Sequence, residues 1–495
     1  MNDAISHFIS SSSLERFRII LYGEGRNQIR AYLGEQRFEE YCLLAEKVVT
    51  AFDHDHLSVH APTNLIFIPG VMGSSLQSKT YGGTWWLDLR PSALRRINDL
   101  GLTPDGQRDL SEDFQLKSGT TDISYEPFMG AILARQDFGH KIFPYDWRKS
   151  LLLSAAFLRD EILSTYESNG HRKVHLVAHS MGGLLVRSTL MEYGEELWGK
   201  IGKIVFLGTP HYGSPAIASY LKNHFWGFDL MTLLGMYLSR ETFRSLHGVL
   251  SLLPAPSGIY PDTRDKDISG FSDFKHENYN HPCVNFDLYD VDSWQLNLSE
   301  EQRLNLKNIL DNTKQFHEKM FAYHQRLDQD LCERMLVIAG VGFKTLFRFS
   351  YKDAFWGLWD YAEKTTSRVK DNLHREGDGS VPLASAKLEY VHQRFVQAQH
   401  GALPNVPAVY NDVFRWLNGE RLQLPSNPSA ALSEHLSSSD YLSAAPLLDG
   451  SISLNTLPED FDRWQDTPVS PEELNQLRGN LEDGRLPEFL SIRLL

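Results

Sequence analysis

The sequence predicts an α/β protein in which helices cover both faces of a mostly parallel sheet. Two observations predict this fold class. Short apolar segments, mostly rich in valine and isoleucine, recur along the chain at 64–70, 140–147, 174–180, 203–210 and 334–341. Helical patterns alternate with these segments, for example over 151–168 and 182–193. Strands that alternate with helices in this way form parallel sheets that are buried on both faces.

Length and charge restrict the class of protein further. The 495 residues allow one large domain with insertions or a few smaller domains. The chain has 49 basic and 63 acidic residues, a formal net charge of −14. This balance disfavours a nucleic-acid partner and general attraction to anionic membranes, so any membrane contact should be local and apolar. Cys42, Cys283 and Cys332 lie far apart, which favours free thiols in a reducing compartment.

Both ends of the chain differ from its middle, residues 61–417, to which we assign the α/β domain. Residues 1–60 predict a helical extension with apolar faces around Phe17 and Phe38. They show no signal peptide, and no run reaches the roughly 18 to 20 apolar residues that span a bilayer. We therefore expect a cytoplasmic or peripheral membrane protein. Residues 418–495, rich in proline, serine and leucine, predict a loosely ordered or short-helical tail.

The alternation of strands and helices stops at about 212–333, where an insertion predicts a cap over the active site. Its apolar stretch is a candidate lid, with candidate substrate contacts at Trp226, Phe228, Met231 and Leu234. Such an apolar cluster is equally typical of a protein core. A second candidate lid, with Trp85 and Trp86, lies at 81–89, where the alternative is a packed surface loop.

Residues 174–183, VHLVAHSMGG, carry the strongest chemical signal. An apolar strand ends in a serine among small residues, and a helix follows. This pattern predicts a nucleophile elbow, a sharp strand-to-helix turn that exposes the hydroxyl of Ser180. The usual G-x-S-x-G pattern has Ala178 in place of its first glycine and retains Gly182. The alternative is an ordinary buried strand and helix with an incidental serine.

A serine nucleophile requires a base and a carboxylate that orients the base. In α/β hydrolases these follow the serine in the order acid, then histidine. Asp378 lies in the glycine-flanked segment EGDGSVPL, and His400 follows an alternating strand in QAQHGALPN. Both positions are predicted loops at strand ends, where the ligand sites of open α/β sheets lie. The rival acids are Asp371, Glu376 and Asp360, and the rival bases are His179, His392 and His374.

Attack on an ester carbonyl creates an oxyanion, which backbone N–H groups must stabilise. One donor should be the N–H of Met181, at the positive end of the helix after the nucleophile. The turn PGVMGS at 69–74 should supply the other, through Val71 or alternatively Met72. The competing interpretation of this turn is an ordinary tight connection. This mechanism requires neither a metal nor another cofactor.

With these residues assigned, the chain resembles the lecithin:cholesterol acyltransferase family of lipases, phospholipases and acyltransferases. The matching motifs occur in family order and are IPGVMGSSL, WWLDLR, PYDWR, AHSMGGLL, FLGTPHYGSP, GDGSVPL and QHGALPN. The resemblance implies an α/β-hydrolase fold with a cap and acyl-ester lipid substrates. It implies a triad of Ser180, Asp378 and His400, and oxyanion donors at Val71 and Met181.

The resemblance also implies structural support near the active site from the motif PYDWR, at Asp146, Trp147 and Arg148.

Two departures from the family pattern concern the lid and the ends of the chain. Secreted members carry a lid disulfide, but no cysteine lies near Trp85 here. The terminal regions fall outside the resemblance and are candidates for docking a partner or a membrane, or for regulating the lid.

The sequence thus favours a serine lipase or phospholipase that transfers an acyl group from Ser180 to water. An acyltransferase would share the first half-reaction and pass the acyl group to an alcohol. A hypothesis from another class is a binding or scaffold protein on a hydrolase fold that no longer catalyses. The intact set of predicted catalytic residues argues against that hypothesis.

Overall fold

A computed structural model describes residues 4–54, 63–79, 84–86, 97–111, 115–135, 137–221, 238–261, 287–294, 296–343, 345, 349–352, 361–364 and 377–433. Several residues named above lie outside this part of the chain, namely Trp226, Phe228, Met231, Leu234, Asp360, Asp371, His374, Glu376 and Cys283. Trp85 and Trp86 belong to a described strand, Thr84–Trp86.

The described strands are β1 (Thr63–Ile68), β2 (Ser74–Ser78), β3 (Thr84–Trp86), β4 (Leu116–Thr121), β5 (Gly139–Ile142), β6 (Val174–His179), β7 (Ile201–Leu207), β8 (Met335–Gly340), β9 (Phe349–Lys352), β10 (Tyr361–Lys364) and β11 (His392–Val396). A six-stranded sheet has the order β11-β8-β7-β6-β1-β5, and neighbouring strands are parallel throughout. The predicted α/β class and parallel sheet are confirmed. A second sheet, β3-β2-β4, is antiparallel and includes part of the candidate lid at 81–89, and β9 and β10 form a separate antiparallel pair.

The described helices are α1 (Ala4–Ser10), α2 (Ser13–Tyr22), α3 (Arg26–Leu33), α4 (Glu35–His54), α5 (Glu126–Leu133), α6 (Leu151–Ser168), α7 (Met181–Leu197), α8 (Pro215–Leu221), α9 (Arg240–Arg244), α10 (His247–Leu250), α11 (Glu300–His324), α12 (Gln329–Cys332), α13 (Leu383–Ala386), α14 (Pro407–Asn418) and α15 (Pro428–Ser433). Short 3-10 turns cover Ile97–Leu100, Ile123–Tyr125, Val291–Trp294 and Leu403–Asn405. Among the helices of these described segments, none has the combination of length and apolar composition needed to cross a bilayer.

Both faces of the central sheet are buried. Along β1, Ile66 and Ile68 join a core with residues of α6 and α7. Leu65 and Phe67 point the other way, into a core with residues of α5 and α14. Side chains alternate across a strand, so a strand covered on both faces is apolar throughout. This explains why residues 65–68 of β1 form a continuous apolar run.

The order of the strands places a crevice at one point of the sheet. The chain passes from β1 to the edge strand β5 and then returns to the other side of β1 as β6. Loops from adjacent strands therefore diverge at the carboxyl ends of β1 and β6, where open α/β sheets bind ligands. Ile68 pairs with Ala178 across these two ends. The turn after β1 and Ser180 are consequently neighbours.

Part of the range assigned to the cap, 212–333, belongs to the main core. Helix α11 packs against α7, and its Ile309 and Leu310 are buried in the same cluster as the sheet. The helix begins at a capping box, in which Ser299 and Gln302 bond reciprocally to each other's backbone.

The N-terminal helices form their own core and dock on α5. Phe17, Tyr41 and Val48 are among the residues of this core. Gly130 of α5 allows the close approach, because a Cβ at this position would lie 2.9 Å from Val48 Cγ2. The guanidinium of Arg16, 1% exposed, donates a hydrogen bond of 2.6 Å to the fully buried carboxylate of Glu126 on α5.

We expect Arg16→Leu to lower the free energy of unfolding by about 3–5 kcal/mol, because it leaves the Glu126 carboxylate buried without its cation. The double substitution Arg16→Leu/Glu126→Leu should recover part of this loss. Urea unfolding followed by circular dichroism measures both values. The matched control is Arg30→Leu, which breaks an exposed pair with Glu35 and should cost at most about 1 kcal/mol. Equal losses for the two arginine variants would contradict the prediction.

Candidate active site

Ser180 occupies a sharp turn between β6, which ends at His179, and α7, which begins at Met181. Its backbone has φ 52° and ψ −127°, a sparsely populated conformation for a residue with a side chain. The N–H of Ser180 donates to the carbonyl of Leu207 at 2.9 Å, which fastens the turn to β7. These dihedral angles and this hydrogen bond describe the elbow that the motif predicts.

The glycines of the motif are required by close contacts. A Cβ on Gly182 would lie 2.5 Å from the carbonyl oxygens of Ile68 and Pro69. A Cβ on Gly183 would lie 2.0 Å from Thr209 Oγ1. Any side chain at either position would therefore push α7 away from β1 or from the loop after β7. The small residues allow the helix to begin directly against the sheet.

The structure brings Ser180, His400 and Asp378 together. His400 Nε2 lies 2.8 Å from Ser180 Oγ, and His400 Nδ1 lies 2.7 Å from Asp378 Oδ2. The three residues are 3%, 3% and 1% exposed, respectively. In this arrangement the carboxylate accepts the Nδ1 proton, and Nε2 is the atom able to accept the hydroxyl proton of Ser180.

Backbone contacts orient the carboxylate of Asp378. Its Oδ1 accepts hydrogen bonds from the N–H groups of Ser380 at 3.0 Å and Val381 at 2.7 Å, which leaves Oδ2 for His400. The backbone N–H of His400 also donates to the carbonyl of Asp378 at 2.9 Å. Gly340, at the end of β8, makes room, because a Cβ there would lie 2.6 Å from Asp378 Cβ.

The turn after β1 lies directly beside Ser180. A Cβ on Gly70 would lie 2.9 Å from Ser180 Cβ, and the N–H of Gly73 closes the turn on the Gly70 carbonyl at 3.1 Å. No residue within the described segments accepts the N–H of Val71. Met181 is the first residue of α7, so its N–H has no partner within the helix. These are the two positions at which the sequence predicts oxyanion donors.

Two of the rival histidines lie in the described part of the chain, and neither of them bonds to the Ser180 hydroxyl there. His392 lies on β11, where it is exposed. His179 is 2% exposed and its Nε2 bonds to the backbone oxygen of His400 at 3.1 Å, not to Ser180. Tyr125, which the sequence analysis does not single out, contacts His179 Nδ1 through its hydroxyl at 2.7 Å. The segment DISYEPF around Tyr125 carries no motif that points to the site.

The motif PYDWR forms a buried polar cluster next to these loops. Arg148 is fully buried and pairs with Asp146 and Asp109, each at 2.7 Å. Trp147 donates its indole N–H to the carbonyl of Ser74 at 3.2 Å, at the start of β2. Within the described residues, no group of three or more His, Cys, Asp or Glu side chains is arranged to hold a metal ion.

A family model described as lecithin:cholesterol acyltransferase matches residues 139–401, more than half of the chain. The chain belongs to the lecithin:cholesterol acyltransferase family. The match begins at β5 and includes Ser180, Asp378 and His400. The resemblance seen in the sequence motifs is thereby confirmed, and so is the α/β-hydrolase fold of the parallel sheet.

Three similar proteins share between 17% and 24% of their aligned residues with this family member. An uncharacterized protein of Saccharomyces cerevisiae is 24% identical over 307 residues, which are 58% of this chain and 43% of the yeast protein. The chain thus spans less than half the length of this curated relative. In the solved Tle4-Tli4 complex, one chain is 17% identical with a TM-score of 0.46, over 73% of this chain and 98% of that one. Mature lipase BlEst2 of Bacillus licheniformis is 17% identical with a TM-score of 0.32, over 72% of this chain and 92% of the lipase.

Proposed function

We propose that this protein is a serine lipase or phospholipase that cleaves acyl esters of lipids through an acyl-enzyme on Ser180. The observation that carries the proposal is the buried series of hydrogen bonds from Ser180 to His400 to Asp378, at 2.8 and 2.7 Å. Such a series converts a weakly nucleophilic hydroxyl into one that attacks a carbonyl. Membership of the lecithin:cholesterol acyltransferase family supports a lipid as the source of the acyl group.

In the first half-reaction, Ser180 Oγ forms a bond to the ester carbonyl carbon while His400 Nε2 takes the hydroxyl proton. The carbonyl oxygen becomes an oxyanion, which the N–H groups of Val71 and Met181 stabilise. When the intermediate collapses, the bond to the alcohol breaks and His400 returns the proton to the leaving alkoxide. The products are a lysolipid or glyceride and an acyl group held on Ser180.

In the second half-reaction, His400 activates the molecule that removes the acyl group. Water gives a free fatty acid, and an alcohol gives a new ester. The family description itself names an acyltransferase, which favours acyl transfer as the second candidate activity. Both activities share the Ser180 intermediate, so they differ only in the acceptor that reaches it.

We would test the proposal by mass spectrometry of products from a mixture of phospholipids and neutral glycerides, with and without a long-chain alcohol. The protein should release free fatty acid and lysolipid. A new ester of the added alcohol would assign acyl transfer instead of, or in addition to, hydrolysis. The control is Ser180→Ala, with which no product should form. Product formation that is equal in the two proteins, or absent from both, would contradict the proposal.

A further inference from the structure

A buried series of hydrogen bonds lies beside the triad and connects its loops. The hydroxyl of Tyr125 accepts the backbone N–H of Gly70 at 2.9 Å and lies 2.7 Å from His179 Nδ1. His179 Nε2 in turn lies 3.1 Å from the backbone oxygen of His400. The side chains of Tyr125 and His179 are 5% and 2% exposed. The series therefore runs from the turn after β1, through the elbow, to the loop of the base.

The positions of the protons in this series follow from its two ends. The carbonyl oxygen of His400 can only accept, so His179 Nε2 carries the proton and Nδ1 is an acceptor. Tyr125 must then donate its hydroxyl proton to Nδ1 and accept the Gly70 N–H with a lone pair. Burial lowers the pKa of His179 well below its usual range, which keeps the ring neutral, and the two hydrogen bonds of the ring select the tautomer. Each group is thus held in one orientation.

This orientation has a consequence for the turn after β1. The N–H of Gly70 is directed at Tyr125 and is unavailable to a substrate. The next N–H, on Val71, has no acceptor within the described residues. The bond from Gly70 to Tyr125 fixes the peptide group between Pro69 and Gly70. It thereby restricts the directions in which the following N–H, on Val71, can point beside Ser180. An oxyanion donor is effective only if it is oriented before the reaction begins.

The other end of the series acts on the base. His400 must keep Nε2 at hydrogen-bond distance from Ser180 while Asp378 holds Nδ1. His179 bonds to the backbone carbonyl of His400, and the two rings are in tilted contact, with their centroids 4.9 Å apart. A neutral His179 at this distance also avoids placing a second positive charge beside His400 when the base becomes protonated.

We propose that Tyr125 and His179 are positioning residues that hold the oxyanion turn and the backbone of the base in register with Ser180. The inference rests on the proposed function, because it assigns these residues a part in the same acyl transfer. Each acts through a residue that it orients. The loss expected on removing either residue is therefore mainly in kcat and not in the affinity for substrate.

The test compares Tyr125→Phe with Tyr145→Phe. Tyr145 is a matched control, since it is 3% exposed and its hydroxyl has no hydrogen-bond partner in the described structure. Steady-state hydrolysis of a p-nitrophenyl acyl ester gives kcat and KM. The concentration of active sites is measured from complete reaction of the serine with a fluorophosphonate, and kcat is expressed per active site. Tyr125→Phe should lower kcat about 10- to 100-fold with KM changed by less than about threefold. Tyr145→Phe should change kcat by less than about threefold.

A second variant, His179→Phe, removes both bonds of the imidazole and keeps an aromatic ring. Its loss in kcat should be similar, and the double variant with Tyr125→Phe should be far from additive, because both changes break one series. An unchanged kcat per titrated site in either single variant would overturn the inference and leave the proposed function intact. Wild-type protein that neither hydrolyses the ester nor reacts with the fluorophosphonate would overturn the proposed function, and the inference with it.

Discussion

Ser180→Ala should abolish ester turnover, with a loss of roughly 10⁵- to 10⁶-fold if the mechanism is the one proposed. The reason is that no other described hydroxyl occupies the position 2.8 Å from His400 Nε2. The fold should persist, because alanine keeps the Cβ and removes only Oγ. In the variant, His400 Nε2 loses its bond to Oγ and can bond to a water molecule instead. Turnover of a lipid ester and of a p-nitrophenyl ester measures the loss.

The matched control is Ser188→Ala on the same helix. Ser188 is fully buried and donates to the carbonyl of Leu185 at 2.9 Å, so its removal costs one local hydrogen bond. This variant should keep kcat within about twofold. Retention of more than about a hundredth of wild-type activity by Ser180→Ala would exclude Ser180 as the nucleophile, whatever the control shows.

The sequence was most informative where chemistry and backbone geometry impose local requirements. The elbow needs small residues within three positions of Ser180, and these residues are adjacent in the sequence. The structure gives the reason, since Gly182 and Gly183 touch β1 and Thr209. Asp378 and His400 followed from chain order and from their positions after predicted strands. The structure places both side chains in hydrogen-bond contact, although their catalytic roles stay predictions until measured.

The contacts that sequence patterns did not predict join residues distant in the chain. Arg16 and Glu126 are 110 positions apart, and Tyr125 and His179 are 54 apart. A single tyrosine in DISYEPF gives no local sign of its partners, because its contacts depend on how the turn before α5 packs against the end of β6.

Asp378→Asn should lower kcat by about 10⁴-fold while leaving the geometry of the site almost unchanged. The backbone N–H groups of the loop determine the orientation of the asparagine amide. Oδ1 receives the N–H groups of Ser380 and Val381, so the amide oxygen of asparagine should occupy that position. Its NH₂ group then faces His400 Nδ1 and donates to it. His400 consequently takes the other tautomer, with the proton on Nε2, and is unable to accept the proton of Ser180.

Asp412→Asn separates this effect from loss of stability. Asp412 is a fully buried carboxylate that accepts backbone N–H groups from Gln423 and Leu424, but its contacts lie on α14 and the chain that follows. Thermal unfolding by circular dichroism gives the folded fraction of each variant, and kcat is expressed per folded protein. We expect a loss near 10⁴-fold for Asp378→Asn and none beyond about twofold for Asp412→Asn. A loss below about tenfold for Asp378→Asn would mean that a group other than Asp378 sets the tautomer of His400.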